Sequence, residues 1–591
     1  MTLQFFDENI PCLAACPVHT NAGAYVAAIA DGDDLGAYLT ARMPNPFASV
    51  CGRVCAAPCE DACRRGEIDQ PIAIRALKRF VTEKYGVEMG GEDWRQVAAP
   101  KPVDRVQSIG IVGGGPSGMA CAHDLRLQGY RVTVYEATGQ LGGMMKLGIP
   151  EYRLNRDLLT AELNAIVDLG VEVQLNTKLG EQVTFPELRG RHDALFLAHG
   201  ASLGRGLDIE GHQADGVLKA IEFLINVNQG FEVEVGDRVI VIGGGDVAMD
   251  AARTALRRED YDAARAPQDD QDRSLVEALD AARSAARSGA AEVTVISLES
   301  KAEMPASPFE LEEAQAEEIT FVHSRGPARI IAENGAVVGL ETIGVLSVFD
   351  ENGRFSPRFD ADDLQVFEAD TVILAVGQAV DVSALAGSVD LSPRGTIGVD
   401  DALATSLDGV WAGGDAAHGP RTLILAIADG RKVASAIHEY FTGETPHDQK
   451  GQLVELEQFH RFDDTYDRWD RLEVPVVATD RRVGLAEVEL GFTEQQARCE
   501  AARCLRCFAN IELDVNKCVL CALCSDVCPL DLIALVPAEE VGGALGHTAL
   551  TLDERACIRC GLCIERCPPR ALSMAVWTGV GVPALTGGPS I

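Results

Sequence analysis

The sequence is poor in basic residues and has no long apolar run. Its 52 lysines and arginines stand against 89 aspartates and glutamates, a formal net charge of −37 at pH 7. That charge repels nucleic acid and anionic membrane surfaces. No stretch approaches the roughly 18 apolar residues of a membrane span, and residues 1–9 lack the basic and apolar segments of an export signal. We therefore predict a cytoplasmic protein with no nucleic-acid partner and no membrane span.

Histidine is absent from the two cysteine runs near the C-terminus, which narrows the metal sites they could form. These runs repeat one spacing and each is followed by a proline: Cys518, Cys521, Cys524 and Cys528, then Cys557, Cys560, Cys563 and Cys567. This is the two-cluster ferredoxin spacing, in which the fourth cysteine of each run ligates the other cluster. Zinc knuckles and a disulfide framework are the alternatives, but zinc needs only four ligands per site. The spacing predicts two [4Fe-4S] clusters.

A glycine-rich turn follows the apolar strand 108–112 and precedes a helix-like segment. In such a turn the first glycine permits the tight bend, the second lets backbone approach a pyrophosphate, and the third lets helix and strand pack closely. A second strand ends at Glu136, whose carboxylate can accept hydrogen bonds from ribose hydroxyls. The pattern predicts a dinucleotide site, with a plain tight turn as the alternative. The predicted binding residues are Gly113, Gly115, Pro116, Ser117, Gly118, Glu136, Gly142 and Gly143.

The same pattern recurs after the strand 238–242, with Gly243, Gly245, Asp246 and Ala248 at the turn. An Ala-, Arg- and Asp-rich stretch from about Arg257 to Gly289 delays the next strand and predicts a helical insertion. After that strand comes Glu299, with no arginine pair beside it. An acid at this position suits a free ribose hydroxyl better than a phosphate, so we predict a second nucleotide site that prefers NADH to NADPH.

The chain then returns to apolar strands at 371–377 and 409–415. The second ends in a Gly-Gly-Asp sequence, which puts the Asp415 carboxylate beside a close backbone approach at Gly414. With Gly377, these residues suit the ribityl and phosphate region of a flavin, and a surface turn is the alternative. The order of the segments predicts a nicotinamide domain inserted into a flavin domain.

Several ordered motifs between Cys12 and Gly443 carry a family resemblance. They are Ala15–His19, Asn45–Phe47, Val50–Cys55, Pro71–Ile74, Gly148–Leu154, Gly243–Asp250, Met304–Ala306 and Gly413–Asp415. The chain resembles the small subunit of glutamate synthase and its relatives, iron–sulfur FAD oxidoreductases that include part of dihydropyrimidine dehydrogenase. The resemblance implies FAD at the first glycine turn, a nicotinamide nucleotide at the second, and cubane clusters among the N-terminal helices.

The N-terminal cysteines depart from that family pattern. Relatives with two N-terminal clusters carry a Cys-x2-Cys pair before the equivalent of Cys12, and this sequence has none there. We therefore expect one N-terminal cluster and at least three [4Fe-4S] clusters in all. The candidate ligands, from which the sequence does not choose four, are Cys12, Cys16, Cys51, Cys55, Cys59 and Cys63.

Four further cysteines have no clear place in this scheme. Cys121 follows the flavin glycines and is predicted to lie in the core. Cys499, Cys504 and Cys507 lie between the flavin domain and the ferredoxin runs. The last two have metal-ligand spacing, but three cysteines do not complete a site without a borrowed ligand. Metal ligation and free thiols therefore stay open for this group.

The predicted fold is multidomain α/β, since about 100–200 residues per domain gives several units for 591 residues. It has a helical iron–sulfur domain, two nested Rossmann-like domains for FAD and NAD, and an α+β ferredoxin domain. The predicted segments are 1–104 (helical), 105–222 (FAD), 223–368 (NAD), 369–443 (FAD), 444–510 (connector), 511–575 (ferredoxin) and 576–591 (tail).

The predicted function is an FAD-dependent NAD(P)H oxidoreductase subunit that exchanges electrons with a partner redox protein. Hydride transfer to a flavin needs stacking and orientation more than an acid or base, so no catalytic side chain is predicted. The added ferredoxin resembles fused relatives such as the flavoprotein of dissimilatory sulfite reductase, and it puts glutamate synthesis in doubt. Candidate partners are a sulfite-reductase-type enzyme, a 2-oxoacid oxidoreductase and ferredoxin, in a hetero-oligomer. A glutamate synthase subunit, an electron-bifurcating transhydrogenase subunit and a non-catalytic redox scaffold are the alternatives.

Overall fold

The computed structural model describes residues 8–89, 105–231, 233–256, 290–385, 387–444, 452–455, 468–479, 482 and 487–578. The helical insertion predicted from about Arg257 to Gly289 and residues 579–591 of the predicted tail lie outside them. Within this part the fold is multidomain α/β, as predicted, with a helical domain before two parallel sheets and a small α+β domain after them. None of the described helices is long and apolar enough to cross a membrane.

Short, capped helices build the N-terminal domain. Asn21 and Asp33 each accept a backbone N–H at the start of a helix, from Ala24 and Gly36. Gly32 joins these two helices at φ +88°, a left-handed conformation that favours glycine. The helices are Pro11–Ala14, Ala22–Asp31, Asp34–Arg42, Ala48–Val54, Pro58–Asp61 and Ile74–Tyr85, with 3-10 turns at Arg64–Glu67 and Val87–Met89. The six N-terminal cysteines lie on or beside the first, fourth and fifth helices.

Five parallel strands form the first sheet, in the order Val410–Ala412, Ala194–Leu197, Ser108–Val112, Arg131–Tyr135 and Glu172–Gln174. Along one strand Ile109 and Ile111 face one apolar core and Val112 faces another. Both faces of the sheet are therefore covered, which explains why the strand Ala194–Leu197 is a continuous apolar run. The accompanying helices are Pro116–Leu127, Met144–Leu147, Arg156–Val167, Phe185–Arg191, Asp415–His418 and Leu423–Thr442.

The second parallel sheet has the order Val217–Lys219, Thr371–Leu374, Arg238–Ile242, Glu292–Ile296 and Thr320–Val322. Two of these strands correct the predicted boundaries. The sequence predicts Val217–Lys219 and Thr371–Leu374 in the flavin domain, but they pair with each other in the second sheet. Val217–Lys219 has only three half-buried residues, and Thr371–Leu374 is buried at all four positions, so neither strand has a pattern that indicates its neighbours.

The two chain crossings between the sheets lie side by side. Leu203–Gly204 pairs antiparallel with Gln378–Ala379, so the inserted segment lies between these strands and is longer than the predicted 223–368. The insertion also carries a three-stranded antiparallel sheet and three described helices. These elements are Arg325–Glu333, Ala336–Phe349 and Phe355–Glu368, with Ala220–Asn228, Asp246–Leu256 and Pro308–Ala316.

The sheet of the C-terminal domain includes a strand from the predicted connector. Gln452–Glu455 pairs with Leu572–Thr578, which also pairs with Asn510–Leu513. The last strand extends past residue 575, so the predicted tail begins too early. The remaining described elements are the ribbon Ile533–Pro537 with Thr548–Leu552, the short helices Leu523–Asp526 and Leu562–Glu565, and the connector helix Glu494–Ala502.

One apolar core joins the two ends of the chain. It contains Tyr25 and Leu77 of the N-terminal helices together with Phe508, Ile511 and Met574 of the connector and C-terminal strands. These side chains are almost completely buried. The C-terminal domain is therefore packed on the N-terminal domain, although more than 400 residues separate them in sequence.

Candidate functional site

The first glycine turn has the close contacts that its sequence predicts. Gly113 has φ +110°, and a Cβ there would lie 2.3 Å from the carbonyl oxygen of Ala198. A Cβ at Gly118 would lie 2.0 Å from the oxygen of Gly113. Beside Gly115, by contrast, the nearest atom to an added Cβ is the Cα of Gly143 at 3.8 Å. The open space beside Gly115 lies at the start of the helix Pro116–Leu127, where backbone N–H groups can bind a pyrophosphate.

Glu136 lies at this turn, as predicted, and also stabilises it. One carboxylate oxygen accepts the N–H of Gly114 at 2.8 Å, and the other accepts the N–H of Thr138 at 2.8 Å. The side chain is buried. The sequence indicates a ribose ligand at this position, but it does not indicate the bonds that fix the carboxylate before any ligand binds.

Three loops meet around the start of the helix Pro116–Leu127. A Cβ at Gly143 would lie 2.9 Å from the Cα of Gly115, and a Cβ at Gly414 would lie 3.1 Å from the Cβ of Ser117. Among the described residues the buried hydroxyl of Ser117 has no hydrogen-bond partner. A hydroxyl in this position fits a polar group of a bound dinucleotide. The structure thus brings together the predicted residues of the first site from three separate segments, including Gly142 next to Gly143.

Asp415 and Gly377 have different surroundings. Asp415 begins a short helix directly after Gly414, and burial raises the pKa of its carboxyl to about 6. Gly377 lies at the crossing into the first sheet, where its carbonyl accepts the N–H of Arg205 at 3.0 Å. The structure therefore places Asp415 at the three loops around Ser117 and Gly377 at the junction of the two sheets.

The second glycine turn repeats the geometry of the first. Gly243 has φ +146°, and a Cβ there would lie 2.5 Å from the carbonyl oxygen of Ala375. Apart from Gly245 itself and its two chain neighbours, no described residue comes within 4 Å of a Cβ built on Gly245. Asp246 accepts the N–H of Ser307 at 2.9 Å, which holds the segment after Met304 across the turn. Ala248 is buried on the following helix, as a small residue must be for close packing.

Glu299 lies over this second turn. A Cβ at Gly244 would lie 2.8 Å from its carboxylate oxygen. Arg325, on the neighbouring segment, donates its backbone N–H to the carbonyl of Ser297 at 2.9 Å. Its guanidinium, however, donates to the hydroxyl of Thr342 and to Asp363. The carboxylate is thus beside the turn, while this arginine side chain is already engaged elsewhere.

Arg153 joins the two nucleotide-binding regions. It forms ion pairs with Asp250 at 2.6 Å and with Glu310 at 2.8 Å, both on helices of the inserted segment. Burial raises the pKa of Asp250 to about 6. The sequence marks Arg153 only as part of a family motif. The structure shows it as a fixed contact between the segments that carry the two glycine turns.

Four of the six N-terminal cysteines surround a buried lysine, Lys78. This Lys78 site consists of Cys16, Cys51, Cys55 and Cys59. Burial opposes the charge of the ammonium, but the four cysteines, as thiolates, outweigh it and raise the pKa of Lys78. Cys51 and Cys55 are hydrogen-bonded to each other, and the N–H of Ala57 donates to Sγ of Cys55 at 3.4 Å. The sequence gives no signal for the lysine, which lies on the helix Ile74–Tyr85.

The other two N-terminal cysteines lie in a different place. Cys12 and Cys63 line a cavity of about 30 Å³ together with Cys504 and Cys507 of the connector. In this four-cysteine cavity the connector pair meets two cysteines from the other end of the chain. Cys499 is exposed, and Cys121 is buried, as predicted. In the described part no three histidine, cysteine or acidic side chains converge on the position of a single metal ion.

The eight C-terminal cysteines show the predicted exchange between runs. Cys518, Cys521, Cys524 and Cys567 line a cavity of about 20 Å³. The charge of a Cys528 thiolate raises the pKa of both Cys560 and Cys563. The fourth cysteine of the first run therefore lies close to the second run. The N–H groups of Leu532 and Ala571 donate to Sγ of Cys528 and Cys567, both at 3.3 Å. Such bonds to sulfur are among the interactions that set the potential of a cluster.

Comparison with known families agrees with this geometry. Residues 107–430 match the family model described as pyridine nucleotide-disulphide oxidoreductase. The chain belongs to this family. Residues 7–89 match the dihydropyrimidine dehydrogenase domain II, 4Fe-4S cluster, and residues 517–571 match a 4Fe-4S dicluster domain. The family model implies a flavin and a pyridine nucleotide, and the other two matches give iron–sulfur domains at both ends.

Three relatives extend the comparison. The chain is 37% identical to the NADP(+)-dependent formate dehydrogenase subunit beta of Moorella thermoacetica, over 84% of this chain and 70% of that one. It is 30% identical to the glutamate synthase [NADPH] small chain of Escherichia coli, over 73% and 88%. It is also 30% identical to the NAD-dependent dihydropyrimidine dehydrogenase subunit PreT of Escherichia coli, over 74% and 92%. The predicted resemblance to the glutamate synthase small subunit is confirmed.

The protein is therefore an FAD-dependent NAD(P)H oxidoreductase with iron–sulfur domains at both ends of the chain. Among the relatives, the Moorella subunit is named as NADP(+)-dependent and PreT as NAD-dependent. The relatives are named as subunits or chains of larger enzymes.

Proposed function

We propose that this chain is one subunit of a hetero-oligomer and exchanges electrons between NADH and a partner redox protein, through FAD and at least three [4Fe-4S] clusters. Flavin and cubane chemistry supplies the conversion between a hydride and single electrons. The observation that carries the proposal is the packing order of the sites. Cys16 and Cys51 share a core with the first sheet, while the C-terminal cysteines Cys524 and Cys557 share a core with the N-terminal helices.

In this proposal the partner protein binds beside the first C-terminal cysteine run. Cys521 is exposed, and the neighbouring Val519 is 67% exposed. The second run faces inward, because Arg64 of the N-terminal domain donates to the carbonyl of Cys557 at 3.1 Å. The inner run would therefore pass electrons within the molecule, and the outer run would exchange them with the partner.

The coenzyme of the proposal is NADH. Its support is the position of the Glu299 carboxylate beside the second glycine turn, where it can accept hydrogen bonds from ribose hydroxyls and repel a phosphate. The guanidinium of Arg325 is held by Thr342 and Asp363, so it does not offset this repulsion.

The exposure of Cys521 and Val519 at the outer run favours a protein as the electron partner. Candidates are a sulfite-reductase-type enzyme, a 2-oxoacid oxidoreductase, ferredoxin, or a formate dehydrogenase of the kind named for the Moorella relative. A glutamate synthase subunit is the second candidate function, since that small chain covers 73% of this chain.

The test uses the intact protein, purified without oxygen together with the subunit that binds it. NADH should reduce the flavin and then the partner. In a Cys521→Ala/Cys524→Ala variant, the rate of partner reduction should fall at least tenfold more than the rate of flavin reduction. Equal rates of partner reduction in variant and wild type would overturn the outer run as the exit. An intact flavin site that NADH cannot reduce would overturn the oxidoreductase role and favour a redox scaffold.

A further inference from the structure

Two connector cysteines meet two N-terminal cysteines in one buried place. Cys504 and Cys507 lie between the helix Glu494–Ala502 and the strand Asn510–Leu513. Together with Cys12 and Cys63 they line the four-cysteine cavity, and the remaining lining is mainly apolar, including Val26 and Ile74. Four thiols with no acidic or histidine neighbour in the lining have the composition of an iron–sulfur site.

The connector pair also has the backbone conformation of the ferredoxin loops. In Cys504-Leu505-Arg506-Cys507 the residue before the second cysteine is left-handed, with φ +52° at Arg506. The equivalent residues of the two ferredoxin loops, Leu520 and Arg559, have φ +52° and +61°. This conformation is uncommon for residues other than glycine and costs about 1 kcal/mol or more, so its recurrence indicates a shared requirement.

A second shared feature is a backbone N–H that points at sulfur. The N–H of Arg506 donates to Sγ of Cys504 at 3.4 Å, two residues on. The N–H of Ala57 does the same for Cys55 in the Lys78 site. The loop of the connector therefore presents its first cysteine with the same local hydrogen bond as a cysteine of the N-terminal cluster.

We propose that Cys12, Cys63, Cys504 and Cys507 hold a further [4Fe-4S] cluster, with two ligands from each end of the chain. The position of this cluster fits a link between the other sites. The Tyr25 phenol donates to the carbonyl of the cavity-lining Ile74 at 3.2 Å, and the centre of its ring lies 5.9 Å from Nζ of Lys78. Toward the C-terminal domain, Cys507 is close enough to Cys557 of the inner ferredoxin run for the charge of a Cys557 thiolate to raise the pKa of Cys507.

A cluster suits this place better than zinc. Zinc draws four thiolates to within about 2.3 Å of one point. Among the described side chains no such convergence is found, whereas the four thiols here are spread around a cavity, as a wider cubane needs. The presence of this cluster does not depend on the identity of the redox partner, so it can be tested separately from the proposed function.

The first test is the metal content of the intact protein, purified and analysed without oxygen. Two C-terminal clusters, the Lys78 site and this cluster give about sixteen irons per chain. A value near twelve overturns this inference and leaves the proposed function standing. About twelve irons with one zinc per chain overturns the cluster in favour of a zinc site.

The second test locates the cluster with variants. Cys504→Ala/Cys507→Ala should lose about four irons per chain, while Cys499→Ala, on the helix just before the pair, should lose none. Cys12→Ala/Cys63→Ala should also lose about four, and the quadruple variant should lose no more than either double variant. Additive losses, or a connector variant with the iron content and EPR spectrum of wild type, overturn the shared site.

Discussion

At the scale of single residues, Lys78 is a buried charge that lies close to four cysteines. As thiolates, the four cysteines of the Lys78 site oppose the effect of burial and raise this pKa, so the ammonium stays charged. A fixed positive charge favours the more negative, reduced form of a nearby cluster. The side chain therefore bears on the reduction potential of the site more than on its shape.

We expect Lys78→Met to lower the reduction potential of the N-terminal cluster by about 50–150 mV, because one nearby charge is lost at an effective dielectric of about 20. An EPR-monitored redox titration measures this shift. Lys84→Met is the matched control on the same helix, since its ammonium binds Asp34 at 2.7 Å and is not buried among thiols. A potential that is equal in the two variants would contradict the placement of Lys78.

The second residue prediction concerns Glu299. We expect Glu299→Arg or Glu299→Ser to shift the preference from NADH toward NADPH by on the order of 1–3 kcal/mol in kcat/KM, since a carboxylate beside the turn repels the extra phosphate. Steady-state reduction of a dye by each coenzyme measures the ratio. Glu303→Ser, on an exposed turn after it, serves as the control. Equal use of both coenzymes by the unmodified protein would remove the basis for this prediction.

At the scale of elements, a buried glutamate caps the helix that carries Cys51. Glu162 accepts the N–H groups of Ser49 and Val50 at 2.8 and 3.0 Å, at the start of Ala48–Val54. Burial raises the pKa of Glu162 to about 7, although these two bonds act in the opposite direction. The helix of the N-terminal domain is thus tied to the helix Arg156–Val167 of the flavin domain through one titratable group.

The pKa of Glu162 is higher in the folded chain than its unfolded value of about 4.3. Protonation of this carboxyl therefore stabilises the folded chain, and the full contribution is present at pH values below about 4.3. As the pH rises from about 4.5 to 7, the free energy of unfolding loses this contribution, which is on the order of 3 kcal/mol. We expect Glu162→Gln to flatten this part of the stability curve, measured by chemical unfolding at each pH. Asp157→Asn, an exposed change on the same helix, should keep the slope of wild type.

Local elements could be predicted from the sequence, and pairings between distant elements could not. Both glycine turns were predictable because strand, turn and helix are adjacent along the chain, and the contacts of Gly113 and Gly243 follow from that order. The strand Thr371–Leu374 is buried at all four positions, so no exposed face indicates its sheet. The meeting of Cys504 with Cys12 depends on how the two ends pack, so spacing alone left the connector pair without a fourth ligand.

At the scale of the whole molecule, the shared core makes the two ends one unit of stability. Ile511, Leu572 and Met574 of the C-terminal domain are buried against the N-terminal helices. Each such side chain contributes about 1.5–3 kcal/mol when it leaves water. The ferredoxin domain is therefore more than an appendage that could be removed without effect.

We expect a chain that ends at Asn510 to lose several kcal/mol of stability in its N-terminal domain, because the core partners of Tyr25 and Phe508 are removed. Its unfolding midpoint in a thermal scan should fall, and it should bind a hydrophobic dye. The full-length Cys518→Ala/Cys521→Ala variant, whose two changes lie outside the buried core, controls for the loss of clusters. A truncated chain as stable as the full one would show that the core is not shared in solution.

The four-cysteine cavity also bears on the order of events during synthesis. Cys63 emerges from the ribosome about 440 residues before Cys504, a delay of roughly 20–90 s at 5–20 residues per second. Over that interval Cys12 and Cys63 have no connector partners. A cluster bound by all four can be inserted only after nearly the whole chain has been made, so a prematurely terminated chain would lack the link between its flavin region and its exit.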